Sequence, residues 1–291
     1  MHVVSRFQPE DTQSVTSAFE SLKETFLGKV SASHWIDKGS RLLLTEKVSQ
    51  ISNRLWPPPK LLRNDTLEAV YFDFPDNETS FGDYWVKTRV LLQNLSERVP
   101  DDEYVLELPG NNWPRYLLFN YVLHSVDVAV GAVSRPLFYP HGTRAMLYGG
   151  LGFSMALQMV KALDGEGLKW QPRHGLAYSI LSRATVNAYK AKDGCLEKEG
   201  FPSVFPEIPA IEIAYAAYAK SNKTSSPIDH ELTNDKVFFL TLCYMTCSKR
   251  GYKHPSAADC NKAVRGFRPF VKAFSCSKRS ALNPQKTCGF L

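Results

Sequence analysis

The segment that most constrains the fold is residues 148–164, in which a glycine-rich start is followed by an apolar stretch, Tyr-Gly-Gly-Leu-Gly-Phe-Ser-Met-Ala-Leu-Gln-Met-Val-Lys-Ala-Leu-Asp. Apolar side chains recur there at three- and four-residue steps, which predicts a helix that packs in the core. The glycines remove side chains at its start, so we expect another element to approach the backbone closely. The segment lacks the further glycine and the downstream acid of a dinucleotide-binding loop.

Gln158 and Lys161 lie three residues apart in this helix, a spacing that matches part of a known motif. The segment resembles the active-site helix of the neprilysin and endothelin-converting-enzyme family of zinc metallopeptidases, in which Tyr-Gly-Gly-x-Gly precedes His-Glu-x-x-His and then Gly-Phe-Asp. In that alignment Leu157 and Lys161 stand at the two zinc-binding histidines, and Gln158 stands at the catalytic glutamate. The family's histidines share one helix face and bind Zn²⁺, while its glutamate takes a proton from metal-bound water. A leucine offers no lone pair, a lysine ammonium repels a dication, and a glutamine is no general base.

The family's third zinc ligand, a glutamate one helix later, is also replaced. Counting back from the Ala-Tyr-Ala-Ala-Tyr run at residues 214–218 places Ser203 on that glutamate and Glu207 on the aspartate that supports the site. The family's substrate-holding Asn-Ala pair is absent around residues 113–119. His254 matches a family histidine that stabilises an oxyanion, but without a nucleophile we expect a structural role for it. The resemblance implies zinc, yet these residues leave no intact catalytic or metal-binding set, and we expect no bound cofactor.

Further matches to the family run along almost the whole chain. They include His-Trp-Ile-Asp at residues 34–37, residues 131–138, and Asn-Pro-Gln-Lys-Thr-Cys at residues 283–288. The resemblance implies a mainly α fold with a small β-sheet (α+β), the thermolysin-like catalytic-domain fold. It places residues 1–110 at the end of the family's helical domain and its linker, and residues 111–291 in the peptidase domain.

Hydrophobic periodicity by itself also predicts mostly helix. Residues 64–74 are predicted to form a polar loop leading into a short extended stretch, and the β-branched and aromatic residues of 116–133 predict edge strands. The Pro-, Asn- and Gly-rich residues 109–114 predict a boundary. Helices are predicted over residues 11–27, 40–55, 84–99, 149–161, 175–191, 209–220, 234–247 and 256–274.

All six cysteines follow residue 194. The resemblance implies a disulfide between Cys195 and Cys288, and it implies that Cys247 and Cys276 pair with cysteines of an N-terminal segment, where this chain has none. Two explanations stay open. The sequence is a truncated part of a longer protein, which we favour, or the remaining cysteines pair among themselves: Cys243, Cys247, Cys260 and Cys276.

Four glycosylation sequons favour passage through the secretory pathway. They begin at Asn64, Asn77, Asn94 and Asn222. Residues 1–10 carry no apolar signal-peptide core, and no run of about 18 apolar residues predicts a membrane span. We expect an extracellular or secretory-pathway protein, since the family's members are membrane-anchored or secreted.

Charge and motif searches exclude other classes. The formal net charge of +6 comes from 35 basic and 29 acidic residues that are interspersed, with no basic arm, so nucleic-acid binding is not expected. The seven histidines contain no pair at i, i+3 or i, i+4, and hence no local zinc motif. No Gly-x-Ser-x-Gly nucleophile motif is present.

Together these features predict a neprilysin-like homologue that cannot hydrolyse peptide bonds by the family mechanism and acts by binding peptides or an active family member. The alternative that the family implies is an active zinc endopeptidase, and a third possibility is a degenerate product without function. Lys161 has two interpretations: its ammonium occupies the vacated cation site and pairs with Glu207, or it extends to solvent along the cleft, which we favour.

Overall fold

The computed structural model describes residues 9–55, 63–98, 116–171, 175–176, 181–221, 232–247 and 258–291, and helices dominate them. The helices are α1 (Pro9–Ala32), α2 (Lys38–Ser49), α3 (Asn64–Tyr71), α4 (Phe81–Arg98), α5 (Arg144–Leu147), α6 (Phe153–Met159), α7 (Arg183–Asp193), α8 (Glu207–Lys220), α9 (Asn234–Thr246), α10 (Cys260–Val264) and α11 (Arg268–Ala273). The strands are β1 (Ser52–Leu55), β2 (Leu117–Asn120), β3 (Ser125–Val128), β4 (Trp170–Gln171) and β5 (Gly175–Leu176). Within these ranges no helix is long and apolar enough to cross a membrane.

The larger sheet has three strands in the order β1-β3-β2. Strand β1 runs parallel to β3, with Ser52 opposite Ser125, and β2 runs antiparallel to β3, with Leu117 opposite Val128. The central strand β3 is buried along its whole length, while β2 alternates between buried and partly exposed residues. Strands are therefore confirmed within residues 116–133, and β2 lies at an edge of the sheet as predicted, but β3 is its central strand and not an edge strand.

One apolar core joins the early helices to the later ones. Phe19, Leu22 and Phe26 of α1 are fully buried in it, together with residues of β3, α6, α8 and α9. No described side chain of α3 or α4 belongs to this core. The core thus combines residues from both sides of the predicted boundary at 110/111. That boundary lies outside the described residues, and the division into two domains stays a prediction.

The helix predicted over residues 149–161 begins earlier and runs without a break from Arg144 to Leu163. It passes from α5 through a π-helical turn (Tyr148–Gly152) into α6 and ends in a 3-10 turn (Val160–Leu163). A Cβ on Gly149 would overlap the Phe238 carbonyl of α9, and one on Gly150 would overlap the Leu137 carbonyl. The predicted close approach at the glycines is confirmed, and it presses the start of the helix against α9.

Two predicted helices are shorter than expected, because some of their residues pair with strands instead. The helix predicted over residues 40–55 ends at Ser49, and residues 52–55 instead pair with β3. The helix predicted over residues 175–191 begins only at Arg183, because Gly175 and Leu176 pair with β4. Ser182 begins that helix, since its hydroxyl accepts a hydrogen bond from the Thr185 amide.

Two further predictions fail for local reasons. Residues 64–71 form helix α3, where a polar loop was expected. The helix predicted over residues 256–274 is divided within its described part into α10 and α11. Gly266 lies between them with φ 67°, a left-handed conformation that interrupts a helix.

Candidate functional site

Leu157 packs in the core at the first of the three positions that hold metal-binding and catalytic residues in the family's helix. Its side chain is 4% exposed, and Met159 beside it is fully buried. The burial of both residues confirms the prediction that this helix packs in the core. Because the leucine is held by apolar neighbours, the helix is stabilised by packing at the position where the family has a metal ligand.

Gln158 and Lys161 contact each other on the half-buried side of the same helix. The Lys161 ammonium donates a hydrogen bond to Gln158 Oε1 over 2.8 Å. Among residues 157, 158 and 161, only the Gln158 side chain has an oxygen that could bind a metal. This oxygen already accepts the hydrogen bond from the Lys161 ammonium. The Lys161 ammonium would repel a zinc ion that approached this oxygen.

Ser203, which stands at the third ligand position, is bound into the turn before α8. Its hydroxyl donates to the carboxylate of Asp193 at the end of α7 and accepts a hydrogen bond from the Phe205 amide over 3.0 Å. The same carboxylate also accepts from the Val204 amide at 3.3 Å. Ser203 thus orders the chain entering α8.

Glu207, at the first residue of α8, forms a buried ion pair with Lys262 of α10. Glu207 Oε2 and Lys262 Nζ lie 2.6 Å apart, and the two side chains are 7% and 8% exposed. Lys262 also donates to the Phe205 carbonyl at 2.8 Å, and Glu207 Oε1 accepts from the Asp259 amide at 3.2 Å. The predicted pairing of Lys161 with Glu207 is therefore wrong, because a cation from α10 already neutralises this carboxylate.

Asp164, the residue aligned with the aspartate of the family's Gly-Phe-Asp, closes the end of the helix. Its Oδ2 accepts from the Tyr121 hydroxyl at 2.9 Å, and its Oδ1 accepts from the amides of Glu166 and Gly167 at 3.0 and 2.7 Å. Burial raises the pKa of Asp164, while these hydrogen bonds and the charge of Lys161 oppose that rise. Lys161 thus has electrostatic contact with the acid one turn later.

Two buried basic residues that the sequence did not indicate contact each other, and the charge of Asp164 acts on one of them, Lys47. Lys47 donates to the Trp170 carbonyl, and His124 Nε2 lies 2.7 Å from the Lys47 carbonyl oxygen. Burial lowers the pKa of Lys47 to about 8, although Asp164 opposes this, and burial lowers the pKa of His124 to about 4. Because Lys47 and His124 are 77 residues apart, no local motif could have revealed the contact.

The His-Trp-Ile-Asp motif connects α2 to α7. Asp37 accepts hydrogen bonds from the hydroxyls of Ser40, Ser182 and Thr185, and the first two lie at 2.7 and 2.5 Å. These contacts, led by the one from Ser182, hold the pKa of the Asp37 carboxyl well below its usual range. Asp37 also begins α2, since it accepts from the Gly39 and Ser40 amides.

Cys195 and Cys288 form the disulfide that the resemblance implies, with their Cα atoms 6.0 Å apart. Cys243 and Cys260 form a second disulfide. The thiols of Cys247 and Cys276 are free, the first exposed and the second partly buried. Among the four cysteines with no assigned partner, the structure pairs two.

Three of the four sequon asparagines lie in the described part of the chain, and the fourth, Asn222, lies outside the described residues, as does His254. Asn64 begins α3, Asn94 lies in α4, and Asn77 lies between the two helices. Asn64, Asn77 and Asn94 are exposed, so all three are accessible to a glycosyltransferase.

The residues at the family's catalytic positions do not fit a zinc ion. Leu157 has no donor atom, the Gln158 oxygen is bound by an ammonium, and the Ser203 hydroxyl is bound to Asp193. Across the described ranges, no group of three or more His, Cys, Asp or Glu side chains is arranged to hold a metal. No hydrolytic step through a metal follows from these side chains.

Curated peptidases match the chain along nearly its whole length, although no family model matches it. The chain is 21% identical to endothelin-converting enzyme 1 of Bos taurus over 323 residues, which cover 99% of this chain and 42% of that enzyme. It is 20% identical to neprilysin-2 of Caenorhabditis elegans, covering 99% of this chain and 44% of that protein. The resemblance is to the neprilysin and endothelin-converting-enzyme family. The chain spans less than half the length of these relatives.

Solved structures show the same fold. A chain of the Haemonchus galactose-containing glycoprotein complex superposes with a TM-score of 0.77 at 18% identity, covering 97% of this chain and 50% of that one. The zinc metalloprotease Zmp1 of Mycobacterium tuberculosis, in complex with an inhibitor, superposes with a TM-score of 0.69 at 16% identity, covering 97% and 47%. The predicted fold, mainly helical with a small sheet and thermolysin-like, is confirmed.

Proposed function

We propose that this protein is a neprilysin-like peptidase homologue that does not hydrolyse peptide bonds by the family's zinc mechanism and acts by binding a peptide or a protein partner. The observation that carries the proposal is that the polar side chains of the site already bind other residues of the chain. Gln158 is bound by Lys161, Ser203 by Asp193, and Glu207 by a buried lysine. A metal would have to displace the first two of these interactions and would gain no histidine ligand.

The contacts that stabilise the fold support a binding role, which requires the folded chain but not peptide hydrolysis. The helix that carries Leu157 and Lys161 is packed through its glycines against α9 and through Leu157 into the core. A buried ion pair links α8 to α10 close to the third ligand position. The fold is therefore held by contacts that require no metal.

The expected partners are peptides or an active family member, and the expected location is extracellular. The Haemonchus relative is described as part of a galactose-containing glycoprotein complex, which supports assembly with other proteins as the mode of action. Two disulfides and the accessible sequon asparagines Asn64, Asn77 and Asn94 support passage through the secretory pathway. Treatment with an endoglycosidase of protein secreted by eukaryotic cells tests this location: a fall in mass supports it, and an unchanged mass contradicts it.

Zinc stoichiometry is the decisive experiment. We would produce the chain through a secretory host, dialyse it without chelator, and measure zinc per chain by elemental analysis alongside hydrolysis of a fluorogenic peptide. We expect far less than one zinc per chain and no hydrolysis that a chelator abolishes. One zinc per chain with chelator-sensitive hydrolysis would overturn the proposal.

A reconstructed variant provides the matched control. It carries Leu157→His, Gln158→Glu, Lys161→His and Ser203→Glu, which restore the family's residue types at the four positions. If this variant binds zinc and the unmodified protein does not, the four side chains, and not the backbone, determine whether zinc is bound.

The alternative function is an active zinc endopeptidase, and the descriptions of the relatives favour it, since they name endothelin-converting enzyme 1 and zinc metalloprotease Zmp1. This function requires that residues other than those at positions 157, 161 and 203 bind the zinc. The same stoichiometry and chelator assay distinguishes it from the binding function.

A further inference from the structure

Residues 260–291 have an unbalanced charge. They contain seven lysines and arginines and no aspartate, glutamate or histidine, although basic and acidic residues are interspersed over the chain as a whole. Two of these cations are paired inside the fold, since Lys262 contacts Glu207 and Arg265 contacts Glu199. The five that are left form what we call the basic surface: Arg268, Lys272, Lys278, Arg279 and Lys286.

The charge of the basic surface is not neutralised by its surroundings. All five residues are exposed, and within the described part of the chain none of their side chains has a hydrogen-bond or ion-pair partner. The terminal carboxylate of Leu291 is the one negative charge of residues 260–291, and counting it against the five cations still leaves four positive charges. Helix α9, which packs against α11, carries one aspartate and one lysine and adds no net charge.

The chain folds back on itself within this segment and brings the cations onto one unit. The Gly266 amide donates to the Leu282 carbonyl at 2.9 Å, and the Cys276 amide donates to the Val271 carbonyl at 3.0 Å. These contacts hold the returning residues 278–286 against the part of the chain that contains α11. The cations of α11 and those of the returning residues therefore lie on the same folded unit.

This unit is fixed to the rest of the fold. Phe270 of α11 packs edge-on against Phe239 of α9, with ring centres 5.3 Å apart. The disulfide between Cys288 and Cys195 connects its end to the turn that follows α7. Because the backbone is held in place, binding of an extended ligand requires little reordering of the chain.

The composition of the surface favours recognition by charge. In the described residues 258–291, no large apolar side chain is exposed. Insertion into a membrane surface and stacking of single-stranded nucleic-acid bases both use exposed apolar or aromatic side chains. Two of the five cations are guanidinium groups, which donate paired hydrogen bonds to the oxygens of an anionic group.

We propose that the basic surface binds a sulfated polysaccharide. Such a ligand repeats its anionic groups along an extended chain, so it contacts cations that are spread over a surface and does not require several of them at one point. The choice of a polysaccharide over double-stranded nucleic acid rests on the extracellular location proposed above. The binding itself is independent of whether the protein hydrolyses peptides, so it stands or falls separately from the zinc experiment.

Calorimetric titration with heparin fragments tests the inference, and hyaluronan is the comparison ligand because it carries carboxylates but no sulfate. At a salt concentration of about 0.15 M, where weak surface attraction is screened, we expect heparin to bind at least about tenfold more tightly than hyaluronan. Heparin binding should weaken as the salt concentration rises, because each contact is an ion pair. No binding of heparin, or equal binding of the two polysaccharides, would overturn the proposal.

A DNA duplex tests the choice of partner. A duplex is stiff, so we expect it to contact only part of a surface formed by a helix and a turn and to bind more weakly than a heparin fragment of the same total charge. A duplex that binds as tightly as heparin would point to nucleic acid and contradict the inference.

A variant with three substitutions assigns the binding to the basic surface. It carries Lys272→Gln, Lys278→Gln and Lys286→Gln, and we expect it to fold normally because all three side chains are exposed. Heparin should bind to it at least about tenfold more weakly and with a smaller dependence on salt. Unchanged binding would place the ligand elsewhere and refute the proposal.

The matched control removes the same charge from other parts of the protein. It carries Lys38→Gln, Lys190→Gln and Lys220→Gln, which alter exposed lysines of α2, α7 and α8. Its affinity for heparin should stay within about twofold of that of the unmodified protein. An equal loss in both variants would show that heparin responds only to net charge, and the assignment to this surface would be wrong.

Discussion

Lys262 Nζ lies 2.6 Å from Glu207 Oε2, and both side chains are almost completely buried. The pair joins the first turn of α8 to α10. It stands where the resemblance implies a carboxylate that supports a metal site. The carboxylate pairs with a cation of the chain itself.

Removing the lysine should expose how much the fold depends on this contact. We expect Lys262→Met to lower the free energy of unfolding by about 3–5 kcal/mol, because Glu207 is left as a buried charge without a partner. Urea denaturation measures the change. The double variant Glu207→Gln with Lys262→Met should recover part of the loss, because no lone charge remains.

The matched control is Lys169→Met, which breaks an exposed ion pair with Glu166. It should cost no more than about 1 kcal/mol. A Lys262→Met variant that is no less stable than this control would contradict the structural importance of the buried pair.

Buried His124 should make stability depend on pH. Its pKa is lowered to about 4, mainly by burial, so the unfolded chain binds a proton more readily than the folded one between its ordinary pKa of 6.5 and pH 4. The stability contributed by neutral His124 is present above pH 6.5 and is lost as the pH falls towards 4. The free energy of unfolding should decrease through this window by about 1.4 kcal/mol per pH unit from this group.

Denaturation at a series of pH values checks this. His124→Gln keeps a donor for the Lys47 carbonyl but does not titrate, so its slope should be shallower by that amount. His34→Gln alters an exposed histidine and serves as the control. Parallel curves for the unmodified protein and His124→Gln would contradict the prediction.

Gly149 should tolerate no side chain. A Cβ there would overlap the Phe238 carbonyl, which belongs to the backbone of α9 and cannot rotate away. We expect Gly149→Ala to lower the midpoint of thermal unfolding and to cost about 1–3 kcal/mol or more.

Gly28→Ala is the control for the intrinsic effect of alanine in a helix. Gly28 lies within α1, and no atom of a neighbouring element comes within 4 Å of the position that its Cβ would take. Alanine there should raise stability by about 0.5–1 kcal/mol. If the two substitutions act alike, the close approach of α9 is wrong.

The disulfide between Cys195 and Cys288 should be a large contributor to stability, because the two residues are separated by 93 positions along the chain. Loop-closure entropy predicts a loss of about 4–5 kcal/mol for Cys195→Ala with Cys288→Ala, measured by urea denaturation. Cys247→Ala, which removes an exposed free thiol, should change stability by less than about 0.5 kcal/mol. A double variant as stable as Cys247→Ala would refute the contribution.

Local sequence patterns predicted the helices, whose backbone hydrogen bonds are formed between residues close together in the sequence. The helix with the glycine-rich start, α8 and α9 follow from apolar periodicity, and the predicted bounds of α8 and α9 lie within a few residues of the observed ones. Strand β1 did not follow, since residues 52–55 continue a helical pattern and become a strand only because β3 supplies hydrogen-bond partners. The same reason explains the late start of α7.

At the candidate site the sequence by itself determined which chemistry is missing, because the absence of histidine and glutamate side chains at residues 157, 158, 161 and 203 is a property of the residues alone. Only the tertiary structure decided what the remaining groups do. Lys161 was expected either at Glu207 or in solvent, yet it binds Gln158, and Glu207 is neutralised by a lysine 55 residues away. Pairings between distant residues depend on how helices are placed against each other, and packing of the whole core fixes that placement.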